Sequence, residues 1–139
     1  MGQGGILSEE AILRLMYLAA LSDGELCDIE LNSIKTKLVT YPLLRNISTN
    51  QRNKILSDLL GTLQDRTTKD ILKEINEIIP DKLKKTAYAF ALEVCAKDLV
   101  LHKDEINFLK YLAKLFNIDI ETADALRKSI DVRYFAPLD

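Results

Sequence analysis

The sequence predicts an all-α protein, a single-domain bundle of about seven helices. Three observations predict it. Apolar residues recur at helical spacing almost throughout, no segment sustains period-two alternation, and 139 residues contain only five Gly and three Pro. One domain is expected over residues 1–139, with 1–7 flexible and 132–139 a tail.

The first helix is expected after Ser8, a good N-cap, with Leu7 and Ile12 placed as a hydrophobic staple. Ile12, Leu15, Met16, Ala19 and Ala20 form its main stripe, and Leu13, Tyr17 and Leu21 widen that stripe almost all round, so the helix should be central. Asp23-Gly24 stops it. The second begins near Asp28, points Leu31, Ile34 and Leu38 inward, and ends before Tyr41-Pro42 because the residue before proline leaves the helical region. Ser48-Thr49-Asn50-Gln51 is a capping box for the third, whose stripe is Ile55, Leu56, Leu59, Leu60 and Leu63.

The fourth covers Thr68 to Ile79, and Pro80-Asp81 interrupts the chain after it. The fifth, Lys82 to Asp98, is the second central helix, with Leu83, Ala87, Phe90, Ala91, Val94 and Cys95 inward. Glu93 shares a stripe with Lys82, Thr86 and Lys97, which reads as a solvated face with a Glu93–Lys97 pair. The sixth, Lys103 to Phe116, turns Ile106, Leu109, Leu112, Ala113 and Phe116 inward and Lys103, Asn107, Lys110 and Lys114 outward. The seventh runs from Ile120 to Ile130 and leads into Arg133-Tyr134-Phe135-Ala136-Pro137.

Composition narrows the function classes. Apolar residues are 47% and charged residues 29%, an ordinary globular balance. A net charge of -2 gives no electrostatic footprint for nucleic acid or an anionic membrane. No apolar stretch is long enough to insert into a bilayer, and Met1-Gly2-Gln3-Gly4-Gly5 has no basic region or apolar run of a secretory signal. Cys27 and Cys95 make no spacing motif, so a cytoplasmic protein with reduced thiols is expected. The single histidine, His102, excludes an HExxH zinc helix and a paired ExxH di-iron bundle. Phosphate-binding glycine loops and a nucleophile elbow are absent, so the protein is expected not to be an enzyme.

One phrase occurs twice, 75 residues apart. Ala20-Leu21-Ser22-Asp23-Gly24-Glu25-Leu26-Cys27-Asp28-Ile29-Glu30 aligns with Cys95-Ala96-Lys97-Asp98-Leu99-Val100-Leu101-His102-Lys103-Asp104-Glu105. Each copy closes a central helix with an Asp and opens the next with a Glu seven residues later, giving two pseudo-symmetric helix-loop-helix units. Glu30 and Glu105 fall at the third helical position behind Cys27 and His102, where a glutamate bonds back to the N-cap N–H. Asp23 and Asp98 are harder to explain structurally, because a negative charge at a helix C-terminus is mildly unfavourable. A cation would compensate. Asp23, Glu30, Asp98 and Glu105 are hard oxygen donors suited to Ca²⁺ or Mg²⁺, with carbonyls or water completing the shell. The D-x-[DN]-x-[DN]-G spacing of an EF-hand is absent, and Cys27 with His102 is too small a set for a structural zinc. Structural capping and partner recognition stand as alternatives to the cation.

These residues resemble the TerB-like family of tellurite-resistance proteins, which shares its fold with the N-terminal domain of a membrane co-chaperone. The resemblance rests on Ala19 to Glu30, Ala91 to Asp98, Asp104 to Leu109, Leu112-Ala113 and Leu115 to Ile118; residues from about Tyr41 to Ile79 match only as helices. It implies an all-helical fold with a pseudo-symmetric core and a divalent-cation site at Asp23, Glu30, Asp98 and Glu105, with Glu25 a weaker member. It also implies a bacterial stress-response role through a protein partner in a membrane-associated complex, without catalysis. Leu99 and Val100 depart from the family's usual Gly and acid. The alternative expectation is a metal-free interaction scaffold, a homodimer contacting through Tyr111, Tyr134 and Phe135 beside Pro137.

Overall fold

The computed structural model describes residues 3–22, 24, 31–32, 34–36, 38, 42, 44–96 and 102–134, with side chains described from Ser8 to Ser129 within those ranges. All regular structure among the described residues is helical. The elements are α1 (Gln3–Leu21), α2 (Thr49–Thr62), α3 (Thr68–Ile78), α4 (Asp81–Cys95), α5 (Lys103–Leu115) and α6 (Ile120–Tyr134). Residues 31, 32, 34–36 and 38 are helical as well. No described helix is long and apolar enough to cross a membrane.

Helix α1 is central, as its broad apolar surface requires. Ile12, Leu13, Leu15, Met16, Ala19 and Ala20 have no exposed surface, and Tyr17 and Leu18 are 2% exposed. Burying each large apolar side chain contributes about 1.5–3 kcal/mol relative to leaving it in water. The helix packs against α2, α3 and α4, and α4 in turn packs against α5 and α6. One expectation fails here. The helix begins at Gln3, so Ser8 is not its cap; Ser8 lies inside the helix and is buried. Helical structure therefore begins upstream of the expected start signal, whereas the helix ends at Leu21, just before the expected stop at Asp23-Gly24.

Local chemistry explains the other boundaries. Ser48 Oγ accepts from Gln51 N–H at 3.1 Å, and Gln51 Oε1 accepts from Ser48 N–H at 2.8 Å, the predicted capping box of α2. Ile55 and Leu59 point into the core and Leu56 and Leu63 are half-buried. Leu60 is 42% exposed, contrary to expectation, because it turns away from the Ile55–Leu59 stripe that meets α1. Thr67 caps α3 by accepting from Asp70 N–H, and Ile71, Leu72, Ile75 and Ile79 are buried. Pro80 occupies the N-cap of α4, where its missing N–H breaks no helical hydrogen bond.

Helix α4 ends at Cys95 with Ala96 as its C-cap, short of the expected Asp98. Every residue from Phe90 to Ala96 is buried, Glu93 included. The solvated face expected for Glu93 holds at Lys82 and Thr86, which are exposed, but not at Glu93, on a helix that packs against α1, α5 and α6; Lys97 lies outside the described residues. Helix α5 closes with Asn117 at φ +61° and a hydrogen bond from Ile118 N–H to Ala113 O at 2.8 Å, a left-handed ending that Asn tolerates. Asp119 then caps α6, its Oδ1 accepting from Thr122 N–H at 2.7 Å. Helix α6 continues to Tyr134, past the expected end at Ile130.

Candidate functional site

The two central helices meet at their C-terminal turns. Cys95 Sγ, in the last residue of α4, lies 3.7 Å from the carbonyl oxygen of Ala19 in α1. Ser22 Oγ is 3.9 Å from the same sulfur and donates to Ala19 O at 2.6 Å. Ala20 and Cys95 are equivalent positions of the repeated phrase. The helix ends from which its two copies start therefore share one contact. Gly24 lies just past the end of α1 at φ +99°, and its N–H donates to Leu21 O at 2.9 Å, so the expected stop is a glycine in a conformation other residues avoid.

Of the five acidic candidates, Glu105 is the one within the described residues. Asp23, Glu25, Glu30 and Asp98 lie outside them, as do Cys27, Leu99 and Val100. Glu105 has no exposed surface, and its Oε1 accepts from His102 N–H at 3.0 Å. This is the capping role expected of it from position alone, and it occupies one carboxylate oxygen. Among the described residues, no three His, Cys, Asp or Glu side chains lie together as a metal-binding group.

Of the contact candidates of the interaction reading, Tyr111 is the one whose side chain is described. Tyr111 is half-buried, with the Lys69 ammonium 5.2 Å above its ring centre, a contact that links α3 to α5. The side chain of Tyr134, and Phe135 and Pro137 altogether, lie outside the described residues.

Two surface features carry more than the sequence suggested. The first is a groove of about 740 Å³ between α4, α5 and α6, with Leu92, Leu109 and Ile118 in its wall. Lys110, Lys114 and Arg127 edge it together with Asp119 and Asp124. Tyr88 also contributes, its hydroxyl pushed above its ordinary pKa mainly by burial. The second is a polar cavity of about 520 Å³ reached by α1, α2 and the helical residues 31, 32 and 35. Periodicity could not reveal either, because their lining residues come from helices far apart in sequence.

Compared with family models, curated proteins and solved structures, the chain matches none.

Proposed function

We propose that the protein is a non-enzymatic binding module, TerB-like in its doubled helix-loop-helix units, that holds a divalent cation at acids of the repeated phrase. The observation that supports this reading is the contact of Cys95 Sγ with Ala19 O and Ser22 Oγ. It joins the helix ends that immediately precede Asp23 and Asp98 in the chain. Acids that follow two adjoining helix C-termini add negative charge where the helix dipoles are already negative, and a cation relieves that repulsion. Ca²⁺ or Mg²⁺ suits carboxylate ligands, with Asp23, Glu30, Asp98 and Glu105 as the donors and Glu25 as a weaker one. In this reading the ion steadies both loops for a protein partner in a cytoplasmic, stress-response assembly of the tellurite-resistance kind.

The test is a titration with Mg²⁺ or Ca²⁺ followed by amide resonances. Millimolar ion should shift Ser22, Gly24 and Ala96, and D23N or D98N should abolish the shift. No response at millimolar ion in the wild-type chain refutes the cation.

A second reading, a metal-free homodimer, is favoured by the groove between α4, α5 and α6. Its edge carries both signs of charge, Lys110, Lys114 and Arg127 with Asp119 and Asp124, so a second copy related by a twofold axis would meet complementary charges. Light scattering over a wide concentration range decides this. A dimer that A123R dissociates supports it, and a strict monomer rejects it.

A further inference from the structure

The polar cavity between α1, α2 and the helical residues 31, 32 and 35 has no acid of the repeated phrase among its described lining residues. Its α2 wall is a helical stripe, Thr49, Arg52, Asn53 and Leu56, spaced at the three- and four-residue intervals of one face. That face is distinct from the Ile55–Leu59 face that enters the core. The opposite wall presents Leu31, Asn32 and Lys35, held in helical register by Thr36 Oγ1 donating to Asn32 O at 3.0 Å. Tyr17 of α1 forms the base and is 2% exposed.

The chemistry of this lining is one-sided. Lys35 and Arg52 are both cations, and neither is ion-paired among the described residues. Asn32, Asn53 and Thr49 add side-chain donors. None of the described lining residues is acidic. The cavity also sits at the first turns of α2, whose dipole places its positive end there. Arg52 is close enough to act on the Tyr17 hydroxyl, lowering its pKa against the larger rise caused by burial. Leu31, Leu56 and the Tyr17 ring supply apolar surface beside the charges. The volume is in the range of small-molecule sites, about 300–1,000 Å³, and exceeds what an inorganic anion fills.

We infer that this cavity binds a small organic phosphate ester, with Arg52 and Lys35 on the phosphate and Leu31, Leu56 and Tyr17 against the organic part. Arg52 supplies the planar fork that matches phosphate oxygens, and Lys35 supplies a mobile point charge. Asn32, Asn53 and Thr49 complete the donor set.

Calorimetric titration of the intact chain at fixed ionic strength with phenyl phosphate, inorganic phosphate and benzoate tests the inference. Phenyl phosphate should bind tighter than either of the others. R52Q and K35Q should each weaken it by about tenfold or more, as expected for loss of a charged hydrogen bond. K103Q, on the exposed start of α5, should leave it unchanged. Circular dichroism confirms that each variant is folded, and if R52Q is not, the exposed Lys35 carries the test alone. Absence of phenyl phosphate binding, benzoate binding tighter than phenyl phosphate, or equal binding in wild type and K35Q each overturns it. Because none of the described lining residues is an acid of the repeated phrase, D23N leaves this binding intact while abolishing the cation response.

Discussion

The thiol of Cys95 lies 3.7 Å from the backbone carbonyl oxygen of Ala19, with no solvent on either residue. A carbonyl in the last turn of a helix lacks the usual partner four residues on; Ala19 O accepts from Ser22 N–H at 3.2 Å and from Ser22 Oγ at 2.6 Å, and a small side chain from a neighbouring helix reaches the same oxygen. Size is the constraint at this position. C95L should overpack the joint between α1 and α4 and cost about 1–3 kcal/mol. Urea denaturation would show this as a lower midpoint with an unchanged slope.

Glu105 separates capping from ligation. E105A removes the acceptor for His102 N–H and should cost about 0.5–2 kcal/mol by the scale of helix N-terminal caps. E105Q keeps an acceptor oxygen and should recover most of that loss. If Glu105 also ligates the proposed cation, E105Q weakens the metal-induced amide shifts while thermal stability stays near wild type.

Asp119 gives a pH dependence with a defined sign. Its carboxylate accepts from Thr122 N–H, and the hydrogen bonds to Thr122 hold its pKa below the ordinary 3.8. A depressed folded-state pKa means that the stabilisation is fully present above the unfolded value and is lost as pH falls through the folded one. The Thr122 amide resonance should therefore titrate below pH 3.8, and D119N should remove that titration while α6 remains folded.

Gly61 lies within α2, and a Cβ added there meets nothing within 4 Å. G61A should stabilise the chain by about 0.4–1 kcal/mol, chiefly by restricting the unfolded state. Thermal unfolding of the two proteins checks it. G24A, at φ +99°, should have the opposite sign despite equally open space.

These contrasts show what the sequence made legible. The all-helical architecture, the capping box at Ser48, the bond from Glu105 to its own N-cap and the centrality of α1 follow from local spacing and were readable. Glu93 was not, because its helical neighbours on the same stripe are polar while its burial is imposed by α1, α5 and α6. Leu60 misled for the reverse reason, since an apolar residue one step off the buried stripe faces solvent. Asp119 sat in plain view as a cap residue before Ile120, a signal available from residue type and position. The union of Lys35 with Arg52 had no local signature at all. The repeated phrase was visible at once, yet of its five acidic candidates the described residues place only Glu105.

Gly24 gives that phrase a handedness. Its φ of +99° lies where an L-amino acid suffers steric strain, and its counterpart 75 positions on is Leu99. A leucine forced into the same turn would cost about 1–3 kcal/mol. The turn that closes α1 is therefore one that the leucine at the equivalent place in the second copy could not supply there. A chimera that writes the Leu-Val of the second copy over Gly24-Glu25 would deny α1 its ending.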